Sequence, residues 1–183
     1  MTDILVEKLL YEFKRNGLVQ KSEIDLYAFG LNRLILFLLN ISTSIIIGIC
    51  FSMIWQIIIF SIAYIMIRRY AGGYHASCSK SCFYKSVVLV IFAPILISIF
   101  SHSFIFLLIV ITYSTIIIIL KAPVESKEKR LTDIERAIFR KKAIIITFIE
   151  SFTALALGYI FLEVAICIAI AIFFSAIMLV FKR

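Results

Sequence analysis

A chain of 183 residues, 63% of them hydrophobic and with a mean hydropathy of +1.09, carries more apolar side chain than a soluble domain of that length can bury. Its formal net charge of +8 is therefore first a topology signal, and only then a hint about partners. Two of its four cysteines, Cys50 and Cys167, lie inside apolar segments and two, Cys78 and Cys82, in a basic stretch, which excludes a secreted disulfide framework.

The N-terminal stretch MTDILVEKLLYEFKRNG has no short apolar region with a small-residue cleavage site, so no cleaved signal peptide is expected. At about 100° per residue, Leu5, Val6, Leu9, Leu10 and Phe13 fall within one arc. Asp3, Glu7, Lys8, Glu12, Lys14 and Arg15 fall on the other side. This predicts an amphipathic helix along the membrane surface, in an interfacial and entry region over residues 1–30. An anchor is the preferred role, and a wall of a substrate channel the alternative.

Three apolar blocks follow: Leu34 to Ile67, Val87 to Leu120 and Ala143 to Phe181, each of 34 or more residues. About 20 helical residues cross ~30 Å of hydrocarbon, so each block is too long for one upright span. Each reads as a helical hairpin, with turns near Phe51-Ser52-Met53, Ser101-His102-Ser103 and Leu162-Glu163. The expected fold is thus an all-α polytopic bundle of about six transmembrane helices forming one integral membrane domain. Some spans, such as Ile54 to Ile67, are short.

The charges agree with that count. Of the 19 Lys and Arg residues, five lie in 1–33, four in 68–85, eight in 121–142 and two in 182–183. The three turns hold none. With six spans all four basic windows share one face, which the positive-inside rule assigns to the cytoplasm together with both termini. The expected location is the cell membrane, multi-pass.

Within the linker 121–142, Pro123 breaks any helix leaving IIIIL, and Thr132 to Glu135 reads as a capping box that starts a new helix. Arg136 and Arg140 then share a helix face, followed by Lys141 and Lys142. Such a cluster serves as a positive-inside stop signal or an anionic-lipid contact. The eight cations against Glu125, Glu128, Asp133 and Glu135 also make these four residues candidate ligands for an acidic peptide. Inside the spans, Asn40 and Gln56 are expected to form interhelical hydrogen bonds. Glu150 is read as a protonated or Ser-paired helix contact, with Ser151 and Thr153 nearby; a functional carboxylate is the alternative.

The chemistry is concentrated in RRYAGGYHASCSKSCFYK, Arg68 to Lys85. A cysteine attacks as thiolate, which nearby cations or a helix N-terminus favour. Arg68, Arg69, Lys80 and Lys85 supply charge, and a helix capped by Ser79 or Ser81 would hold Cys82 in its first turn. His75 could take the thiol proton and return it to a leaving amine. Gly72 and Gly73 end the preceding helix and permit a tight bend. In an unbroken helix His75 and Cys82 would be ~10.5 Å apart along the axis, so spacing alone leaves Cys78 open as the thiol. Zinc on His75, Cys78 and Cys82 is a rival chemistry, but zinc-site spacings are absent. An inert basic loop is the third reading.

Residues 68–82 resemble the signature of the accessory gene regulator B (AgrB) family, membrane cysteine endopeptidases that process quorum-sensing propeptides. The signature is an Arg, then Gly-Gly-x-His-Ala, then a Cys seven residues after the His. Here it falls on Arg68, Gly72-Gly73, His75-Ala76 and Cys82. The family's Ala-Pro opening of a basic loop falls on Ala122-Pro123. The resemblance implies His75 and Cys82 as catalytic pair, with Arg68, Gly72 and Gly73 in support and Cys78 a bystander. It implies cleavage of the C-terminal tail of a short, AgrD-like propeptide through a thioester on Cys82. A thiol or hydroxyl within the peptide then closes a thiolactone or lactone ring. No cofactor, metal or nucleic acid is expected; membrane lipid and a second copy of the chain are expected partners. The loop 68–86 would be the catalytic one. The alternative function is a non-enzymatic small transporter or scaffold whose basic face binds acidic peptide or lipid.

Overall fold

The computed structural model describes residues 2–16, 23–72, 79–124 and 131–180. They form seven helices: α1 (Thr2–Arg15), α2 (Ile24–Cys50), α3 (Ile54–Ala71), α4 (Ser79–Phe100), α5 (Phe104–Lys121), α6 (Asp133–Gly158) and α7 (Leu162–Val180). No strand occurs among the described residues, so every spanning segment satisfies its backbone within its own helix, as a bilayer requires. The fold is an all-α polytopic bundle.

The chain divides into two compact units, Met1–Ser44 and Ile45–Arg183. In the first, α1 forms over the amphipathic stretch, with Glu7, Lys8, Glu12, Lys14 and Arg15 exposed. α2 begins ten residues before the apolar block that starts at Leu34, because nothing from Ile24 onward breaks a helix. Its 27 residues are about 40 Å long, more than the hydrocarbon needs. Asn40 departs from expectation. Its amide donates to the Leu36 carbonyl one turn back (2.8 Å) rather than to another helix.

The second unit is organised around α7. Ala165 to Ile172 are buried on every face, because α3, α4, α5 and α6 all pack on this helix. Ala165, Ala169, Ala171 and Ala176 on α7 allow that close approach. Phe60 of α3 closes the core, edge-on to Phe174 (ring centroids 5.8 Å) and stacked on Tyr64.

Two turns fall where expected, at Phe51–Met53 and Ser101–Ser103. The third is displaced: α6 ends at Gly158, Tyr159 to Phe161 turn, and Leu162 and Glu163 already begin α7. Glu163 there suits the positive helix start. It also accepts a hydrogen bond from Gln56 Nε2 of α3 (2.8 Å), which makes the Gln56 contact interhelical as expected.

Five helices, α2, α3, α4, α5 and α7, are long and apolar enough to cross a membrane. α6 is not among them, because even its last eighteen residues include Lys141, Lys142 and Glu150. It nevertheless runs the length of this unit, connecting the end where α5 exits to the end where α7 starts.

Candidate functional site

The last turn of α3 carries Arg68 and Arg69, and the helix stops at Gly72. Gly72 has φ +70° and ψ −136°, a conformation that side chains rarely tolerate. Its N–H donates to the Arg68 carbonyl (3.3 Å), and Arg68 Nη1 donates to the Gly72 carbonyl (2.9 Å). Arg68 thus locks the helix end from which the signature stretch departs.

A second chain segment seals that end. Val124, just past the exit of α5, donates its N–H to the Ala71 carbonyl (3.0 Å), and Gly72 and Val124 form a parallel bridge. The Ala122–Pro123 peptide bond before it is cis. Neither Tyr70 nor Val124 stands out as a site residue in the sequence, yet both hold the start of the signature. The Ala-Pro pair beside Val124 is the one signal that could have flagged it.

Gly73, His75, Ala76 and Cys78 lie outside the described residues, as does any pairing among them. The backbone of 79–82 is described. α4 already includes Ser79, so this serine is helical rather than the residue before the helix. Cys82 is the fourth described residue of α4. The N–H groups of a first turn have no partners within the helix and carry partial positive charge. A membrane-length apolar stretch begins at the next residue, Phe83. Lys85 follows one turn on and is half-buried.

The basic cluster of α6 meets the same end of the bundle. The capping box forms as expected: Thr132 Oγ1 accepts from the Glu135 N–H (3.3 Å), and Glu135 Oε2 accepts from the Thr132 N–H (2.9 Å). Arg136 pairs with Asp133 (3.3 Å). Arg140 Nη2 makes a long contact to the Ile119 carbonyl at the end of α5 (3.4 Å). Lys141 is exposed. Lys142 Nζ lies 5.2 Å from the centre of the Tyr70 ring, with Arg69 on the same ring at 5.7 Å and the Phe139 ring at 6.0 Å. Lys142 of the α6 cluster is therefore joined to the end of α3 through Tyr70, and Val124 ties the exit of α5 to the same end.

The opposite end is chemically different. His102 sits in the turn between α4 and α5, and Phe104 beside it packs on Tyr159 of the α6–α7 turn (5.3 Å). Gln56 at the start of α3 and Glu163 share that end. No Lys or Arg lies in either turn. His102 is thus remote from the start of α4.

Glu150 is buried and not paired with serine: both carboxylate oxygens lack a hydrogen-bond partner among the described residues, so of the expected protonated or Ser-paired contact only the serine pairing is excluded. Ser151 instead bonds Thr115 of α5 (3.1 Å), and Thr153 donates to the Ile149 carbonyl. Helix geometry turns Ser151 away from Glu150, since a neighbour in sequence is rotated by about 100°.

Comparison with known proteins fits this layout. Curated proteins named accessory gene regulator protein B from Staphylococcus aureus, strains Newman and USA300 among them, are 35% identical over 92 residues. That stretch is 49% of this chain and 48% of each relative, so the chain spans about half the length of the curated relatives it matches. No solved structure matches. The family model for accessory gene regulator B matches residues 6–179, which takes in every helix of the bundle and both segments that meet at Gly72, and the chain belongs to the AgrB family.

Proposed function

We propose that this chain is a membrane-embedded cysteine endopeptidase that removes the C-terminal tail of a quorum-sensing propeptide and promotes closure of a thiolactone or lactone ring. The observation that carries the reading is that Cys82 lies among the first four described residues of α4, directly before the apolar stretch, at the end of a signature that opens on the locked Arg68–Gly72 turn. Family membership supports it.

The chemistry divides into two acyl transfers. His75 takes the Cys82 proton, and the thiolate sulfur attacks the scissile carbonyl carbon. Backbone N–H groups at the start of α4 are the natural donors to the oxyanion. As the C–N bond breaks, His75 protonates the leaving amine, the acidic tail departs and the remaining peptide stays as a thioester on Cys82. A thiol or hydroxyl of that bound peptide then attacks the thioester, its proton passing to His75, and the Cys82 thiolate leaves. The internal nucleophile has a high effective concentration, and a membrane-boundary site limits competing water. Exchange of one thioester for another is nearly balanced, so product removal drives it forward. Arg68 serves the site by fixing the turn before it. The exposed cations of α6 attract the acidic tail, and lipid headgroups or a second copy of the chain engage the same protein in the membrane.

A second reading, transport without catalysis, draws on Glu150, since unpartnered carboxylates within membrane spans often line a path. Three variants separate the readings. In membranes given propeptide, Cys82→Ser and His75→Ala each abolish cleavage at normal protein levels, while Cys78→Ser retains most activity. Full cleavage by Cys82→Ser would leave transport or scaffolding as the function. Loss in both cysteine variants, together with chelator inhibition of the unaltered protein, would point to zinc.

A further inference from the structure

The linker 121–142 is attached at both its ends to the last turn of α3. At its start, Val124 bonds the Ala71 carbonyl and bridges Gly72. At its far side, Lys142 and Phe139 sit against Tyr70. The first attachment is unusually tight. A Cβ built on Gly72 would stand 2.3 Å from the Val124 carbonyl oxygen and 3.2 Å from its carbonyl carbon. That obstacle is backbone, in a residue whose N–H is held by the Ala71 carbonyl, so no rotamer change relieves it. The positive φ of Gly72 excludes a side chain independently. An ordinary surface loop would need neither constraint.

The direction in which the chain leaves α3 is set by the dihedral angles of Gly72, and those are set by the fit to Val124. His75 follows three residues later. We propose that Val124, Gly72 and Tyr70 form a clasp that positions the Cys82–His75 site, so that the linker as well as α3 fixes where the signature loop departs. This rests on the reading of Cys82 and His75 as the catalytic pair. None of the three clasp residues touches substrate; they are positioning residues. The clasp also ties the basic linker to the end of α3 from which the signature departs. A displacement of about 1 Å at a reacting group lowers turnover by about a hundredfold, which makes such a brace worthwhile.

The test reads the thiol itself and needs no substrate. The full chain in proteoliposomes, with Cys50, Cys78 and Cys167 replaced by serine, is alkylated at Cys82 by iodoacetamide at pH 7. A thiol without assistance is only about 3% thiolate at that pH, so losing the His75 contact reads as a roughly tenfold slower reaction. His75→Ala sets that slow rate. Gly72→Ala, Val124→Pro (which removes the N–H donor and fixes φ) and Tyr70→Leu are expected to fall to it. Val124→Ala, which keeps the bridge, and Tyr70→Phe, which keeps the ring, stay at the unaltered rate. At pH 9.5 all variants react alike, which separates lost assistance from lost access. If His75→Ala is slow but Val124→Pro and Tyr70→Leu react at the unaltered rate, the clasp does not position the site. If His75→Ala leaves the rate unchanged, the pairing itself fails and the clasp's role falls with it.

Discussion

Gly72 and Gly158 end helices at opposite ends of the same bundle, and their surroundings differ in kind. Beyond Gly72 stands the Val124 backbone, 2.3 Å from where a Cβ would be. Beyond Gly158 stand the tips of two side chains, Leu107 Cδ2 at 2.8 Å and a Phe104 ring atom at 3.1 Å. Side-chain tips can rotate aside; a hydrogen-bonded peptide cannot. The Gly72 end also collects Arg68, Arg69, Lys121, Arg140 and Lys142, whereas the turns at the Gly158 end carry no Lys or Arg. One end is built to hold geometry and charge, and the other only to reverse the chain between spans.

The sharpest way to break this contrast is topological. In a background with all four cysteines replaced by serine, Ser103→Cys and Ile160→Cys should label in intact cells with a membrane-impermeant maleimide, and Ser126→Cys only after permeabilisation. This is an all-or-none difference, because the positive-inside rule assigns the basic windows to the cytoplasmic face. Protection of both turn positions would reject the six-span arrangement and the orientation of the termini.

Next in size is charge. Reversing Arg136, Arg140, Lys141 and Lys142 to Glu should raise KM for an acidic propeptide about tenfold or more at low salt, and the unaltered protein should itself weaken as salt rises. Since Arg140 and Lys142 also brace α5 and Tyr70, membrane level and Tm are measured alongside. An unchanged KM at normal levels would reduce the cluster to a topology signal.

At the plain end the effects are smaller and concern stability alone. Glu163→Leu leaves the buried Gln56 amide without its acceptor and should cost about 1 kcal/mol, read as a lower Tm in detergent with cleavage intact. Gly158→Ala should cost about 0.5 kcal/mol, since Leu107 and Phe104 can shift. A loss of cleavage in either variant with Tm unchanged would mean that this end also serves the site.

Much of the architecture was legible because a bilayer narrows the choices. Membrane-length apolar runs with charges only between alternate pairs dictate helical hairpins, and the Thr132–Glu135 box marks the start of α6 within a residue. The third turn was misjudged because Glu163 looked like a loop residue, whereas it is a helix-start carboxylate with Gln56 as its donor. Asn40, and the serine pairing offered for Glu150, were misjudged for a related reason: a polar residue in a span announces that it needs a partner, not where the partner lies. The centrality of α7 was not legible, since all the spans are similarly apolar and only packing distinguishes the one surrounded by the others. In the site, Gly72 was readable from residue type, but its tie to Val124 joins residues 52 positions apart and leaves no local pattern.

The central claim is that Cys82 carries the peptide as a thioester, and its most direct test is to trap that intermediate. The full chain in membranes is incubated briefly with propeptide, quenched in acid, digested and mapped by mass spectrometry. The expected result is a peptide adduct on the Cys82 fragment that hydroxylamine removes and that is absent from Cys82→Ser. An adduct on Cys78, or tail release by Cys82→Ser at the unaltered rate, would contradict the account.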